Sequence, residues 1–189
     1  MITLFYSDSL EKIKSSCRKF QYFYEYLINI LFRNCSVLKS PCCENGFLTR
    51  HAYYRRRFKS RGCSETETLT ILRVRCSVCS RTHALLPPEL IPYCRCGAES
   101  AVSFIADFEN GKTCGESLAD SGEAFDENDC RRCIRKYMAC WKGRIESLKL
   151  GIRDFADDFR RSCVLCAKTF LRHFLQMRDP PDYGLVMTT

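Results

Sequence analysis

Only three histidines occur in 189 residues, and none sits in a His-Glu-x-x-His pattern. That excludes the usual helix-borne zinc hydrolase, and no signature of an activated serine or cysteine nucleophile takes its place. Long apolar runs are missing too. The most apolar early stretch, Phe20 to Phe32, is short and interrupted by Glu25, so it cannot span a bilayer. The opening Met1-Ile-Thr-Leu-Phe-Tyr-Ser-Asp lacks the basic and apolar regions of a signal peptide. There is no internal repeat and no low-complexity tract. With 46% apolar and 28% charged residues, the chain reads as globular rather than disordered. These absences predict a non-catalytic chain with no membrane segment and no evident small-molecule substrate.

Cysteine is what the sequence has in excess, fifteen of them. The number is odd and no secretory signal is seen, so the expectation is a reducing cytoplasm with thiols serving as metal ligands or small core residues. Charge is unevenly spread. Lys and Arg exceed Asp and Glu by eight over the whole chain, yet nine basic residues and two Glu fall between Arg50 and Arg81. Such concentration suits a surface that faces a polyanion, although a solubilising face would look alike.

Along the chain, Leu10, Ile13, Cys17, Phe20, Tyr24, Leu27, Ile28 and Leu31 recur at helical steps and predict a helix over 9–33, with Asp8 or Ser9 as its cap. Residues 35–96 change character. Two strand-like runs, Phe47 to Phe58 and Glu65 to Cys76, flank a turn at Arg61-Gly62-Cys63-Ser64, and Pro87, Pro88 and Pro92 close the module. Beyond Ala98 the pattern is helical. Ala101, Val102, Phe104, Ile105 and Phe108 form one stripe, ended at Asn110-Gly111; a short helix follows over 114–121. Asp126 caps a third, whose stripe runs Cys130, Cys133, Ile134, Tyr137, Met138, Trp141, Ile145 and Leu148. A last helix is expected over 152–177. The fold class is therefore α+β: an N-terminal helix (1–34), a zinc-ribbon-like β-hairpin module (35–96), a helix-turn-helix-like segment (97–150), and a C-terminal helix and tail (151–189).

Cys76-Ser-Val-Cys79 at the end of a strand forms a knuckle, in which the backbone turns back and two thiolates meet one ion. Upstream lie Cys42 and Cys43, with Ser40 where a Cys-Pro-x-Cys knuckle would put its first ligand. Three outcomes are open. Cys42 joins Cys43, Cys76 and Cys79 around Zn2+; or Cys35, His51 or His83 completes the set; or the metal has been lost and the module persists on packing. Cys130 and Cys133, like Cys163 and Cys166, lie on apolar helical stripes and read as core thiols. Cys94 and Cys96 stay unassigned. On the hairpin, alternation sends Arg55 and Arg57 to one face and Arg56 to the other, while Arg73 and Arg75 share a face. Tyr53 and Tyr54 set aromatic rings beside these cations.

The run Leu48-Thr-Arg-His51-Ala-Tyr-Tyr-Arg, then Ile71-Leu-Arg-Val-Arg-Cys-Ser-Val-Cys79-Ser-Arg-Thr-His83-Ala-Leu-Leu-Pro87, then Ile91-Pro-Tyr93, resembles a bacterial family of uncharacterised proteins, domain of unknown function 6431. That family is itself similar to the N-terminal zinc ribbons of insertion-sequence transposases. The resemblance covers about 40–96. It implies zinc-ligand positions at Cys43, Cys76 and Cys79, a following helix-turn-helix-like segment, and a DNA-associated role. Ser40 replaces a ligand, Ala52 the usual Gly after His51, and Ser80 the Gly often found after the second knuckle.

The leading expectation is a non-catalytic DNA-binding protein of transposase-like ancestry. Its contacts would be Arg50, His51, Arg55, Arg56, Arg57, Lys59, Arg73, Arg75 and Arg81 on the hairpin. Arg131, Arg132, Arg135 and Lys136 would contribute from a recognition helix that starts at Glu127. Glu123, Asp126, Glu127 and Asp129 crowd that same helix end and would repel phosphate, or cap the helix instead. An intact transposase is not expected, because a ribonuclease-H-like core needs separated carboxylates on a parallel sheet. The alternative is a protein-interaction adaptor scaffolded by the ribbon, with or without its metal.

Overall fold

The computed structural model describes residues 2–6, 19–34, 38–59, 65–91, 94–119, 125–141 and 184–187. The architecture is α+β. It comprises β1 (Ile2–Phe5), α1 (Phe20–Asn34), β2 (Leu48–Phe58), β3 (Glu67–Cys76), β4 (Thr82–Leu86), α2 (Ala98–Glu109), α3 (Cys114–Ala119), α4 (Glu127–Lys136) and β5 (Gly184–Met187). Tyr137–Trp141 continues α4 as a π-helical turn. None of the described helices is long and apolar enough to cross a membrane. The expected helix over 152–177, residues 9–18 of the expected first helix and its caps lie outside the described residues.

The chain divides into two compact units. The first holds Met1–Arg56, Thr68–Pro87 and Asp182–Thr189; the second holds Arg57–Glu67 and Pro88–Pro181.

In the first unit the strands lie in the order β2-β3-β4-β1-β5. β3 and β4 pair antiparallel, with Val74 opposite His83. β1 runs parallel to β4, pairing Ile2 with Leu85, and antiparallel to β5. β4 is a strand because His83, Ala84, Leu85 and Leu86 are all buried, as in a central strand covered on both faces. β3 departs from simple alternation. Leu69, Ile71, Leu72, Val74 and Cys76 are buried and only Thr68, Arg73 and Arg75 stand clear, so its first half is covered on both sides.

Helix α1 explains that cover. Phe23, Tyr24, Leu27, Ile28 and Leu31 follow the helical period and are buried, and the Phe23 ring meets Tyr6 edge-on at 5.3 Å. Two of its polar groups replace sheet hydrogen bonds. Gln21 Oε1 accepts from Thr70 N–H at 2.8 Å. The Tyr24 hydroxyl accepts from Leu72 N–H at 3.0 Å and donates to Leu85 C=O at 2.8 Å. That hydroxyl sits where β4 leaves β3 to pair with β1, and it satisfies both backbone groups that the parting would orphan. Burial pushes its pKa far above the ordinary phenol value.

The second unit is built on α2, α3 and α4. Ala98, Ala101, Val102, Phe104 and Ile105 form the buried stripe of α2, and Phe104 meets Phe125 edge-on at 5.2 Å. Gly111, at φ 82°, takes the left-handed conformation that ends the helix, as the Asn-Gly pair predicts. Helix α4 starts at a reciprocal capping box. Asp126 accepts from Asp129 N–H at 2.9 Å, and the Asp129 carboxylate reaches back to Asp126 N–H. Sequence and structure agree on this cap.

Candidate metal centre and nucleic-acid interface

A short loop closes one end of the hairpin. Ser40 N–H bonds Gly46 C=O at 2.8 Å, Gly46 N–H bonds Cys43 C=O at 3.0 Å, and Lys39 bridges to Phe47. This turn carries Cys42 and Cys43. Opposite it, the knuckle Cys76–Cys79 is closed by Ser80 N–H to Cys76 C=O and Cys76 N–H to Arg81 C=O, both 3.0 Å. Ser80 has φ 57°. That left-handed turn is the physical reason glycine suits the position. The two halves are tied together through Ser77 N–H to Phe47 C=O at 2.9 Å and Phe47 N–H to Ser77 Oγ at 3.1 Å.

Four sulfurs converge as a result: Cys42, Cys43, Cys76 and Cys79 lie within 4.8 Å of one another, with Cys42 and Cys79 at 3.5 Å. The other fourth-ligand options are elsewhere. His51 is exposed on β2, His83 is buried on β4 opposite Val74, and Cys35 lies outside the described residues. Successive side chains diverge on a strand, but Cys42 and Cys43 sit in a turn and reach the same point.

Ser40 has a part in this arrangement, though not as a ligand. Its Oγ lies 3.0 Å from Cys42 Sγ and also acts on the Cys76 thiol. The Ser40 hydroxyl and the backbone N–H groups of Cys79 and Val78 pull Cys76 down to about 6. Cys43 is pushed up to about 12 by the neighbouring Cys79 thiol, by burial and by Cys76. Cys42 is lowered by Ser40 but raised more by burial and by the Cys79 and Cys76 thiols, and ends above the usual thiol value. Four thiols so close cannot all ionise without a cation among them. Gly46 marks how tightly the backbone wraps the cluster: a Cβ there would sit 2.8 Å from Cys76 Sγ and 3.1 Å from the Cβ atoms of Cys43 and Ser40. The donor set and spacing fit a tetrahedral metal ion.

A second thiol group, Cys94, Cys96 and Cys133, has the same 4.8 Å span and lies in the second unit. Either group can hold a metal ion. Cys133 is a buried core thiol, as its helical stripe implies, and only tertiary proximity reveals its sulfur neighbours.

The predicted contact residues separate into several groups. His51, Tyr53, Arg55 and Arg57 are exposed at alternate positions of β2, with Ala52, Tyr54 and Arg56 half-buried between them. Arg73 and Arg75 are exposed on β3, and the Arg73 guanidinium lies 5.9 Å from the centre of the Tyr54 ring. Arg81 is exposed after the knuckle. Among the described residues no carboxylate pairs with Arg55, Arg57, Arg73, Arg75 or Arg81. Arg50 is exposed but engaged, stacked 4.6 Å over the Phe32 ring and bonded to Asn29 at 3.3 Å. Lys59 is drawn away from solvent into a 2.7 Å ion pair with Asp129. On α4, Arg131 is held by Glu127 at 2.7 Å and Arg135 Nε bonds Arg131 C=O at 3.4 Å. Arg132 is exposed, whereas Lys136 is half-buried with its charge acting on Cys94.

Residues 40–123 match the family described as a domain of unknown function, DUF6431. The match spans less than half of the 189 residues but takes in the four-thiol cluster, the hairpin, α2 and α3. No curated protein and no solved structure matches the chain.

Proposed function

We propose that this chain is a non-catalytic DNA-binding protein of transposase-like ancestry. A zinc ribbon made by Cys42, Cys43, Cys76 and Cys79 presents the basic hairpin to the phosphate backbone. Zinc bound there would be structural, joining the loop before β2 to the end of β3 and supplying folding energy to a small β module. The observation that carries the reading is the set of exposed guanidiniums on β2 and β3 that no described carboxylate neutralises. Tyr53, 58% exposed, adds a ring among them. Contacts of this kind read charge and backbone position rather than sequence. Helix α4 fits the task less well, because Arg131 is held by Glu127 and the Lys136 charge acts on Cys94. We infer a reducing cytoplasm as its setting, where these thiols would stay available to metal.

The test is charge reversal. Replacing Arg55→Glu and Arg57→Glu, or Arg73→Glu and Arg75→Glu, is expected to weaken binding of random-sequence duplex about equally across sequences. The dependence of log K on log salt should become shallower by roughly one for each phosphate that is no longer neutralised. Unchanged affinity in both double variants would remove the hairpin from the interface.

One observation favours a second reading. Phe47, 45% exposed, follows the Cys42–Cys43 loop, and Val78, 60% exposed, lies within the Cys76–Cys79 knuckle. An adaptor would use such apolar side chains to meet a protein partner, with affinity that varies little with salt. Phe47→Ser with Val78→Ser would abolish that binding and leave DNA affinity intact.

A further inference from the structure

Cys94, Cys96 and Cys133 take no part in the hairpin or its thiol cluster. Cys94 and Cys96 flank Arg95 on the stretch that enters α2. Lys59 fixes the backbone there, donating its N–H to Arg95 C=O at 2.9 Å and accepting from Gly97 N–H at 2.8 Å. Cys133 lies in the second turn of α4, whose start is set by the Asp126 capping box. The three residues are almost closed to solvent, at 5%, 2% and 2% exposure. Their sulfurs point at one another: Cys133 lies 3.4 Å from Cys96 and 3.8 Å from Cys94.

Simple packing gives thiols no reason to converge, since a buried sulfhydryl is content among methyl groups. A disulfide would draw two sulfurs to about 2.05 Å and leave the third over. A tetrahedral cation with metal–sulfur bonds of about 2.3 Å holds its sulfurs about 3.8 Å apart, close to what is seen. The surroundings match a charged site. The Cys96 N–H donates to Cys94, and the Lys136 charge, one turn beyond Cys133, acts on the same sulfur. Asp129, which acts on Cys96, is itself neutralised by Lys59 at 2.7 Å. Cys130, one turn before Cys133, stays outside the group and faces Cys114.

We propose that Cys94, Cys96 and Cys133 bind a second thiophilic cation, Zn2+, in a three-thiolate site that clamps α4 to the stretch leading into α2. As each zinc–sulfur bond forms, the thiol proton leaves to solvent, and no oxidant or reductant is involved. Three thiolates around Zn2+ leave one negative charge, which Lys136 offsets. The site is independent of whether the hairpin meets DNA.

Elemental analysis of the full chain, loaded with zinc under reductant and freed of excess, is expected to give one zinc more than the same chain carrying Cys133→Ser. Cys130→Ser, the control on the same helix, should keep the full complement. The double variant Cys76→Ser/Cys79→Ser should lose the hairpin ion and keep this one. Should Cys133→Ser unfold the chain, cobalt titration of the unaltered protein decides: seven thiolates give two saturating steps of sulfur-to-cobalt charge transfer, and four give one. Equal zinc in the intact chain and Cys133→Ser would overturn the proposal, as would a single cobalt step that the Cys76→Ser/Cys79→Ser variant abolishes. Zinc lost on Cys133→Ser but unchanged by the double hairpin variant would uphold this site and overturn the hairpin one.

Discussion

Ser40 and Gly46 show what the four-thiol cluster asks of its neighbours. Ser40 occupies the position where the sequence pattern expects a ligand, yet its hydroxyl supports the sulfurs of Cys42 and Cys76 while Cys42 approaches the group itself. A residue that orients ligands costs less to lose than a ligand. Ser40→Ala is therefore expected to keep the zinc stoichiometry but weaken affinity by about 10- to 100-fold, measured by competition with a chelator. Gly46 leaves no such latitude. A methyl group 2.8 Å from Cys76 Sγ forces the loop or the sulfur to move, so Gly46→Ala should destabilise the first unit by about 1–3 kcal/mol in thermal unfolding and lower its zinc content. The thiol pairs and the exposed arginines were legible in the sequence as residue types. Which thiol completes the set was not, because that depends on the turn that swings Cys42 and Cys43 to one side.

His83 yields a prediction of a different kind. Burial, with Arg81 nearby, lowers its pKa below the ordinary 6.5. The folded state thus resists a proton that the unfolded chain accepts. Stability from this residue is present above pH 6.5 and declines as pH falls through that value toward the folded pKa. His83→Gln should flatten that part of a stability–pH profile recorded by chemical denaturation.

At the scale of elements, the hairpin and the helix caps were readable locally, and the rest of the sheet was not. The β2 and β3 runs, the Asp126 cap and the Asn110-Gly111 stop come from periodicity and turn chemistry within a few residues. β1, β4 and β5 carry little local signal because each is only four or five residues long; β1 and β5 find their partners far along the chain, and β4, though it pairs with the adjacent β3, takes the distant β1 as its other neighbour. Short apolar runs have no period of their own, and strand pairing across such separations leaves no local mark. Tyr24 carries the same lesson. It reads as one more apolar residue on a helical stripe, yet its hydroxyl bridges β3 and β4 where they part. Tyr24→Phe is expected to orphan Leu72 N–H and Leu85 C=O and to cost about 1–3 kcal/mol of stability.

For the molecule as a whole, composition located the charge and the alternation of β2 exposed it, while ion pairing removed part of the predicted surface. Lys59 and Arg131 are held by carboxylates, and the Lys136 charge acts on the Cys94 thiol. Sequence registers each of these as a basic residue; only the fold says which charge is already matched. What remains on the hairpin is a run of guanidiniums beside exposed rings, held by the four-thiol cluster.

The most direct measurement is the affinity of the zinc-loaded full chain for random-sequence duplex DNA across a salt series. Binding is expected to fall steeply and linearly in a plot of log K against log salt, with a slope near −0.9 for each phosphate neutralised, so about −3.6 for four hairpin arginines. A flat line, or no measurable binding at low salt, would contradict the account.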